Sequence, residues 1–390
     1  MSDPVADFIA GHLDADLHKL LLSANKYPGI PIPYVVAQIE ALRKVRYKIP
    51  AWYSPQLHFP PQISVEQSSS AATALFKANL CTGNRMADLT GGMGVDSYYW
   101  AKSFQSVDYV EQNETLTAAA QHNFAVLGAH NIHIHHSSAE DFLVHNTSRY
   151  DLLYADPARR DTHNNKVFLL SDCQPDVVQL RDTLLAHADQ VLIKTAPMLD
   201  ISLAMKQLGK VKKVWVVAVE NECKEVLYLL DNEGNSSNDT IQINAVVLDS
   251  PTPSFSFTRQ EEENAPERLA MPQQYLYEPN VAVMKAGAFR LFGHRFGLAK
   301  LHPNTQLFTS ETLEPQAPGR IFAIRAVVKY DYAAVREALP GNKANIAVRN
   351  FPDPVAMVRK RLKLADGGDW YLFAVTVMDG SKRVVICEKV

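Results

Sequence analysis

The chain has 390 residues, too many for one ordinary hydrophobic core, so two or three domains are expected. A hydrophobic content of 47% with 21% charged residues suits buried cores in water, and a formal net charge of −3 excludes a globally basic nucleic-acid coat, leaving local patches to meet phosphates. Cys81, Cys173, Cys223 and Cys387 form no CxxC pair and read as reduced thiols; with no basic-then-apolar leader and no apolar run of spanning length, the expected location is cytoplasmic.

Apolar residues at helical spacing between residues 4 and 24 (Phe8, Ile9, Leu13, Leu17, Leu20, Leu21) predict helix, and a second helix is expected from Pro33 to Val45. Together they suggest a small helical domain over 1–60, closed by a Pro-rich run. Its basic stretch, Arg43 to Lys48, reads either as a solvated helix end or as a phosphate contact. Ser68-Ser69-Ser70 then precedes a helix expected over Ala71 to Asn79.

From Asn84 onward strand and helix patterns alternate. Met86-Ala87-Asp88-Leu89 runs into Thr90-Gly91-Gly92-Met93-Gly94 and then into the helix-compatible segment from Val95 and Asp96 to Ala101. Glycines let backbone approach a ligand, and the following helix offers unpaired N–H groups and a positive dipole end. The next strand, Val107 to Glu111, ends on a carboxylate about twenty residues past the turn, where an acid accepts hydrogen bonds from ribose hydroxyls. A dinucleotide and an adenosyl group both fit this much.

A helix is expected from Glu114 to Leu127 and a strand from Asn131 to His136, followed by the turn Ser137-Ser138-Ala139-Glu140-Asp141. Further strands are expected at Tyr150 to Ala155, Gln190 to Lys194, Val211 to Val219, Val226 to Leu230 and Ile241 to Leu248, with helices near Asp176 to Ala186 and Ile201 to Leu208. This alternation predicts an α/β domain over 61–250 with a largely parallel, helix-covered sheet. His130, His133, His135 and His136 cluster without an acidic or sulfur partner at ligand spacing, so no metal is expected. Asp156-Pro157-Ala158-Arg159-Arg160-Asp161 follows the fourth strand, at the carboxyl edge where ligands bind in open α/β sheets.

Residues 251 to 267 are polar and Pro-containing, a plausible boundary, and the segments beyond suggest an α+β domain over 268–390 with a last strand at Trp370 to Val377 and a hairpin back through Val384 to Cys387. Arg349, Arg359, Lys360, Arg361 and Lys363 read as a phosphate-binding face or as a solvated one.

DLTGGMG carries Thr90 where the G-x-G-x-x-G fingerprint has its first glycine, and so resembles motif I of class I S-adenosylmethionine-dependent methyltransferases instead. With VEQSSSAATALFKA, DPARRD, IKTAPMLD, NECKEVLYLL and the C-terminal segments, most of the chain resembles a group of bacterial class I methyltransferases with a THUMP-like C-terminal domain. The resemblance implies a Rossmann-like seven-stranded sheet with an antiparallel edge pair. It also implies an S-adenosylmethionine cofactor held by Asp88, Thr90, Gly91, Gly92, Gly94, Asp96 and Glu111, with Glu140 or Asp141 accepting from the adenine amino group. Ser138 stands where the family often has Asp.

DPAR resembles motif IV of nucleic-acid methyltransferases, [D/N]-P-P-[aromatic], in which the acid and a neighbouring carbonyl orient an exocyclic amine. That resemblance implies catalytic roles for Asp156 and Pro157, with Ala158 replacing the second proline and Arg159 the stacking aromatic. True THUMP domains bind RNA, so the two resemblances together make a base in structured RNA (tRNA or rRNA) the implied acceptor, met by Arg160, Arg349, Arg359, Lys360 and Arg361. A uracil-C5 mechanism needs a cysteine after the next strand, and Val191 to Pro197 has none. Lys77, Asp156, Lys194 and Glu225 resemble in order the Lys-Asp-Lys-Glu tetrad of ribose 2′-O-methyltransferases, an alternative in which Lys194 is catalytic. A protein or small-molecule acceptor, and a non-catalytic cofactor-binding adaptor, are the other readings.

Overall fold

Helices at Pro4–Gly11, Leu17–Leu22 and Ile32–Lys48 open the chain. The helical pattern expected over residues 4 to 24 is interrupted because Asp16 caps a new helix, accepting from the amides of His18 and Lys19 at 3.1 and 3.2 Å. The third helix buries Ile32, Val35, Val36, Ile39, Leu42 and Val45 on one face. Its basic residues mostly serve the fold. Arg43 donates to the carbonyls of Leu13 and Ala15, Lys48 to those of Val65 and Glu66, and Lys44 pairs with the Glu66 carboxylate, so an exposed helix end also joins neighbouring segments.

This computed structural model describes residues 4–60, 65–159, 169–234, 238–251 and 254–390. They fall into two units, Met1–Lys212 with Leu227–Ser236, and Lys213–Val226 with Ser237–Val390. No helix among the described residues is long and apolar enough to cross a membrane.

The first unit holds strands β1 (Gly83–Asp88), β2 (Phe104–Glu111), β3 (Ile132–His136), β4 (Tyr150–Ala155), the short ladder β5 (Ala158–Arg159) with β6 (Cys173–Gln174), and β7 (Ala188–Thr195). It also holds the second half of β9 (Glu222–Asp231), in the order β3-β2-β1-β4-β7-β9. The first five of these strands are mutually parallel. Leu152, Leu153, Tyr154 and Ala155 are all buried, as befits a parallel strand covered on both faces. Register matters most here. Asp88 lies opposite both Tyr109 and Tyr154, and Ala155 lies opposite Ile193, so β1, β2, β4 and β7 end level and place Glu111, Asp156 and Lys194 along one edge.

In the second unit β8 (Val211–Val219) turns into the start of β9 through Glu220 and Asn221, both at positive φ (+49° and +59°), the geometry of a two-residue antiparallel hairpin. The resemblance implies such a hairpin pair, but at an edge of the sheet, whereas here two further strands lie beyond β8. Strand β10 (Gln242–Val247) runs parallel to β8, and β11 (Phe255–Thr258) pairs antiparallel with β10. The Pro-containing stretch 251 to 267 thus carries a strand and a helix, Arg259–Asn264. Phe255 and Phe257 alternate onto a buried face, and Thr258 with Glu261 forms a capping box, signals the flanking prolines obscured.

Also in the second unit, β12 (Tyr275–Pro279), β13 (Ala299–His302), β14 (Thr305–Ser310), β15 (Gly319–Lys329), β16 (Asn345–Arg349), β17 (Trp370–Thr376) and β18 (Lys382–Lys389) form a sheet ordered β13-β14-β12-β15-β18-β17-β16. Only the β16–β17 pairing is parallel among those registered. Alternation gives it two apolar faces: Leu276, Phe322, Phe373 and Val375 share one core, while Leu372, Ala374, Val384 and Ile386 pack with Val335 and Val358 in another.

Candidate active site

At the carboxyl edge of β1, β2 and β4 the first unit opens a cleft of about 910 Å³. Its floor is the turn after β1. The Asp88 carboxylate accepts from the Thr90 amide at 3.1 Å and from the Ser97 hydroxyl at 2.6 Å, which fixes the start of the turn against the helix Val95–Trp100. Burial pushes the Asp88 carboxyl up to about 7, with Asp96 nearby adding to the rise and the Ser97 hydrogen bond opposing it.

The glycines have different reasons. A Cβ on Gly91 would come within 2.2 Å of the buried Tyr109 ring, and one on Gly94 within 2.5 Å of Phe124, so both are needed for packing. Gly92 has φ +55° and open space where a Cβ would stand, the nearest neighbour being the Thr90 carbonyl at 3.8 Å. It leaves bare backbone on the cleft wall, where a ligand can approach. The Gly92 amide donates to Glu111 Oε2 at 2.9 Å, and the Asn113 amide to Glu111 Oε1 at 2.8 Å. Glu111 is therefore held rigidly with lone pairs left for hydroxyls.

Asp96 lies at the other side of the turn. Ser69 and Tyr154 donate their hydroxyls to Asp96 Oδ2, each at 2.9 Å, and the fully buried Lys77 ammonium lies 3.2 Å from Oδ1. Burial favours the neutral acid, but Lys77 and Lys194 outweigh it and hold the Asp96 carboxyl below the ordinary range. Next along the edge, the Lys194 ammonium pairs directly with the Asp156 carboxylate, and the Asp156 amide donates to Thr90 Oγ1 at 2.7 Å. The turn after β1 and the turn after β4 are thereby joined.

Comparison with known proteins gives the family. Residues 275–318 match a ferredoxin-like domain family and residues 319–389 a family described as THUMP domain-like. Relatives from Mycobacterium tuberculosis strains CDC 1551 and H37Rv, both named uncharacterized S-adenosylmethionine-dependent methyltransferases, are 25% identical over 307 residues, 77% of this chain and 80% of theirs. A crystal structure from Porphyromonas gingivalis W83, assigned as a methyltransferase, is 32% identical with a TM-score of 0.88, covering 99% of this chain and 97% of that one. The chain belongs to the class I S-adenosylmethionine-dependent methyltransferases that carry a THUMP-like C-terminal domain.

The methyltransferase cleft gathers Asp88, Thr90, Gly91, Gly92, Gly94, Asp96, Glu111, Glu140 and Asp156. Asp141 is absent from its lining. Its carboxylate accepts from the Ser138 hydroxyl at 2.8 Å and its amide donates back to that hydroxyl, so the residue is engaged by Ser138, the N-cap of the helix Ala139–His145. Glu140 alone of the two lines the cleft. Pro157 links β4 to the β5–β6 ladder; the Arg159 side chain and all of Arg160 lie outside the described residues. Of the tetrad residues, Lys77 is paired with Asp96 and Lys194 with Asp156, while Glu225 is buried on β9 in the second unit.

The basic residues of the C-terminal domain are partly committed. Arg349 pairs with Glu278, Arg359 with Asp366 at 2.6 Å, and Arg361 lies 4.4 Å over the Tyr330 ring, whereas Lys360 is exposed. Among the histidines, His135 is 2.7 Å from Asp108, which also receives the Tyr150 hydroxyl. Sequence reasoning passed over the wall formed by Gln67, Ser68 and Ser69, whose only signal was the serine run before the helix Ala71–Ala78.

Proposed function

We propose that the chain transfers the methyl group of S-adenosylmethionine to a base in structured RNA, tRNA or rRNA, with Asp156 orienting the acceptor. One observation carries this reading: a single cleft contains the bare Gly92 backbone, the braced Glu111 carboxylate and Asp156. The residues suit the cofactor. Glu111 would hold the ribose hydroxyls, Gly92 and Gly94 would admit the adenosyl and methionine parts, and Glu140 would accept from the adenine amine. Bound there, the sulfonium supplies an already activated methyl group. The chain's task is then positioning. Asp156 accepts a hydrogen bond from the acceptor, Lys194 fixes the carboxylate, and Thr90 sets its height relative to the cofactor turn.

The THUMP-like match supports RNA as the acceptor class, and four cysteines outside any disulfide support a cytoplasmic setting. The Lys194–Asp156 ion pair favours a second reading, transfer to a ribose 2′-hydroxyl with Lys194 assisting deprotonation. Mass spectrometry of nucleosides from total RNA of a deletion strain separates the two. A missing base-methylated nucleoside supports the first reading and a missing 2′-O-methylated one the second. Unchanged nucleosides, with no transfer to RNA by the purified enzyme, would remove RNA as the acceptor.

A further inference from the structure

A second concavity, about 510 Å³, lies wholly within the second unit and shares no residue with the methyl-transfer cleft. Glu278 on β12 is at its base. Arg320, directly opposite Glu278 in the β12–β15 register, donates through Nε at 2.7 Å and through Nη2 to Glu278 Oε2, and Arg349 at the end of β16 donates to Oε1. The carboxylate is 8% exposed, but the two arginine side chains are 41% and 37% exposed. The guanidinium groups thus rise from a buried anchor to the wall of an open pocket.

Neutralising Glu278 takes one cation, and the pocket has two. Among the described residues Glu278 is the only carboxylate in its lining, so their formal balance is positive. Each guanidinium has five N–H donors in a fixed planar fork. Among the described residues, Arg320 uses its Nε and Nη2 groups on Glu278, while Arg349 uses Nη2 on Glu278 and Nη1 on the Val348 carbonyl at 2.8 Å, leaving donors on both for a further acceptor. A Cβ on Gly319 would fall 2.1 Å from the Glu278 carbonyl oxygen, so glycine is what lets the start of β15 approach the end of β12 beside the pocket.

We infer that Arg320 and Arg349, held by Glu278, form a phosphate-binding pocket. Two braced guanidiniums match a tetrahedral oxyanion with several acceptor oxygens, and the shared anchor limits the side-chain freedom lost on binding. The phosphate comes either from free inorganic phosphate or from an RNA backbone. The second source rests on the RNA reading above and would extend it to a contact in the C-terminal domain; the first does not depend on it.

Calorimetry on the full-length protein tests this with inorganic phosphate in one arm and a short mixed-sequence single-stranded RNA in the other. Arg349→Ala should weaken phosphate binding by about tenfold or more, and Arg349→Lys should restore it only in part, because the ammonium lacks the fork. If RNA is the source, the slope of log affinity against log salt should shrink by about 0.7 for each phosphate that the variant no longer neutralises. Hydrogen-exchange protection of β12 and β15, both in the second unit, reports whether a variant remains folded there. Should Arg349→Ala lose that as well, the Glu278→Gln/Arg320→Gln/Arg349→Gln triple variant, which leaves no buried charge unpaired, replaces it. A folded variant with wild-type phosphate affinity and an unchanged RNA salt slope overturns the inference. Absence of any RNA methylation would not, since the readout is binding.

Discussion

The Thr90 hydroxyl accepts the backbone N–H of Asp156 at 2.7 Å while the Thr90 amide donates to Asp88. The residue that replaces the first fingerprint glycine is thus the joint between the turn after β1 and the turn after β4. Thr90→Val keeps the shape but leaves the Asp156 amide without its acceptor, at a cost of about 1–3 kcal/mol. Single-turnover transfer to RNA from a deletion strain should fall roughly tenfold or more, with cofactor affinity within about threefold of wild type, and Thr90→Ser should recover the rate. Equal loss of affinity and rate would make Thr90 a cofactor ligand only.

The turn glycines separate stability from binding. In Gly91→Ala the new methyl meets the Tyr109 ring, which is buried and tethered by its hydroxyl to the Gly92 carbonyl at 2.7 Å, so the ring has nowhere to go. Urea unfolding should show a loss of about 1–3 kcal/mol. Gly92→Ala meets no such clash and costs about 1–2 kcal/mol from its positive φ, but its methyl occupies the cleft wall. Calorimetry should find its cofactor affinity lowered well beyond that of Gly91→Ala; wild-type affinity would place the cofactor elsewhere.

The features legible in the sequence were local ones. Period-2 and period-3.6 patterns give the alternation, and the Thr90–Gly94 turn, Glu111 and Asp156 each sit at the end of a strand whose apolar run marks them. The pairings were not legible. Lys77 reaches Asp96 only because the helices Ala71–Ala78 and Val95–Trp100 pack together, and no spacing rule links them. Arg349 looks in sequence like a neighbour of the basic run from Arg359 to Arg361, yet its partner Glu278 lies on a strand far upstream. Asp141 and Glu140 are adjacent acids, and only the Ser138 cap distinguishes them.

Asp88 should make stability depend on pH. Its carboxyl is raised from 3.8 to about 7 by burial, so the fold prefers the protonated form. The stabilisation is complete below about pH 4, where unfolded and folded forms are both protonated, and is lost as pH rises through about 7. Urea unfolding at pH 5 and pH 8 should show wild type losing about 2–3 kcal/mol relative to Asp88→Asn, which cannot ionise. A constant difference between the two proteins across that interval would show that Asp88 stays charged in the fold.

Asp156 and Lys194 decide the acceptor chemistry. In the base-directed reading the carboxylate makes the hydrogen bond that matters and the ammonium only holds it, so Asp156→Ala should bind cofactor normally and lose at least about a hundredfold in transfer, while Lys194→Ala loses about tenfold. In the ribose reading Lys194 takes part in removing the hydroxyl proton, and Lys194→Ala abolishes transfer. Ala158→Pro, which restores the second motif proline, should be tolerated under either reading. Lys77→Met provides the structural control: it strands the buried Asp96 carboxylate and should cost about 3–5 kcal/mol of stability, visible in unfolding rather than in the identity of the product. A fully active Asp156→Ala enzyme would remove the carboxylate from the mechanism and leave Lys194 as the group to pursue.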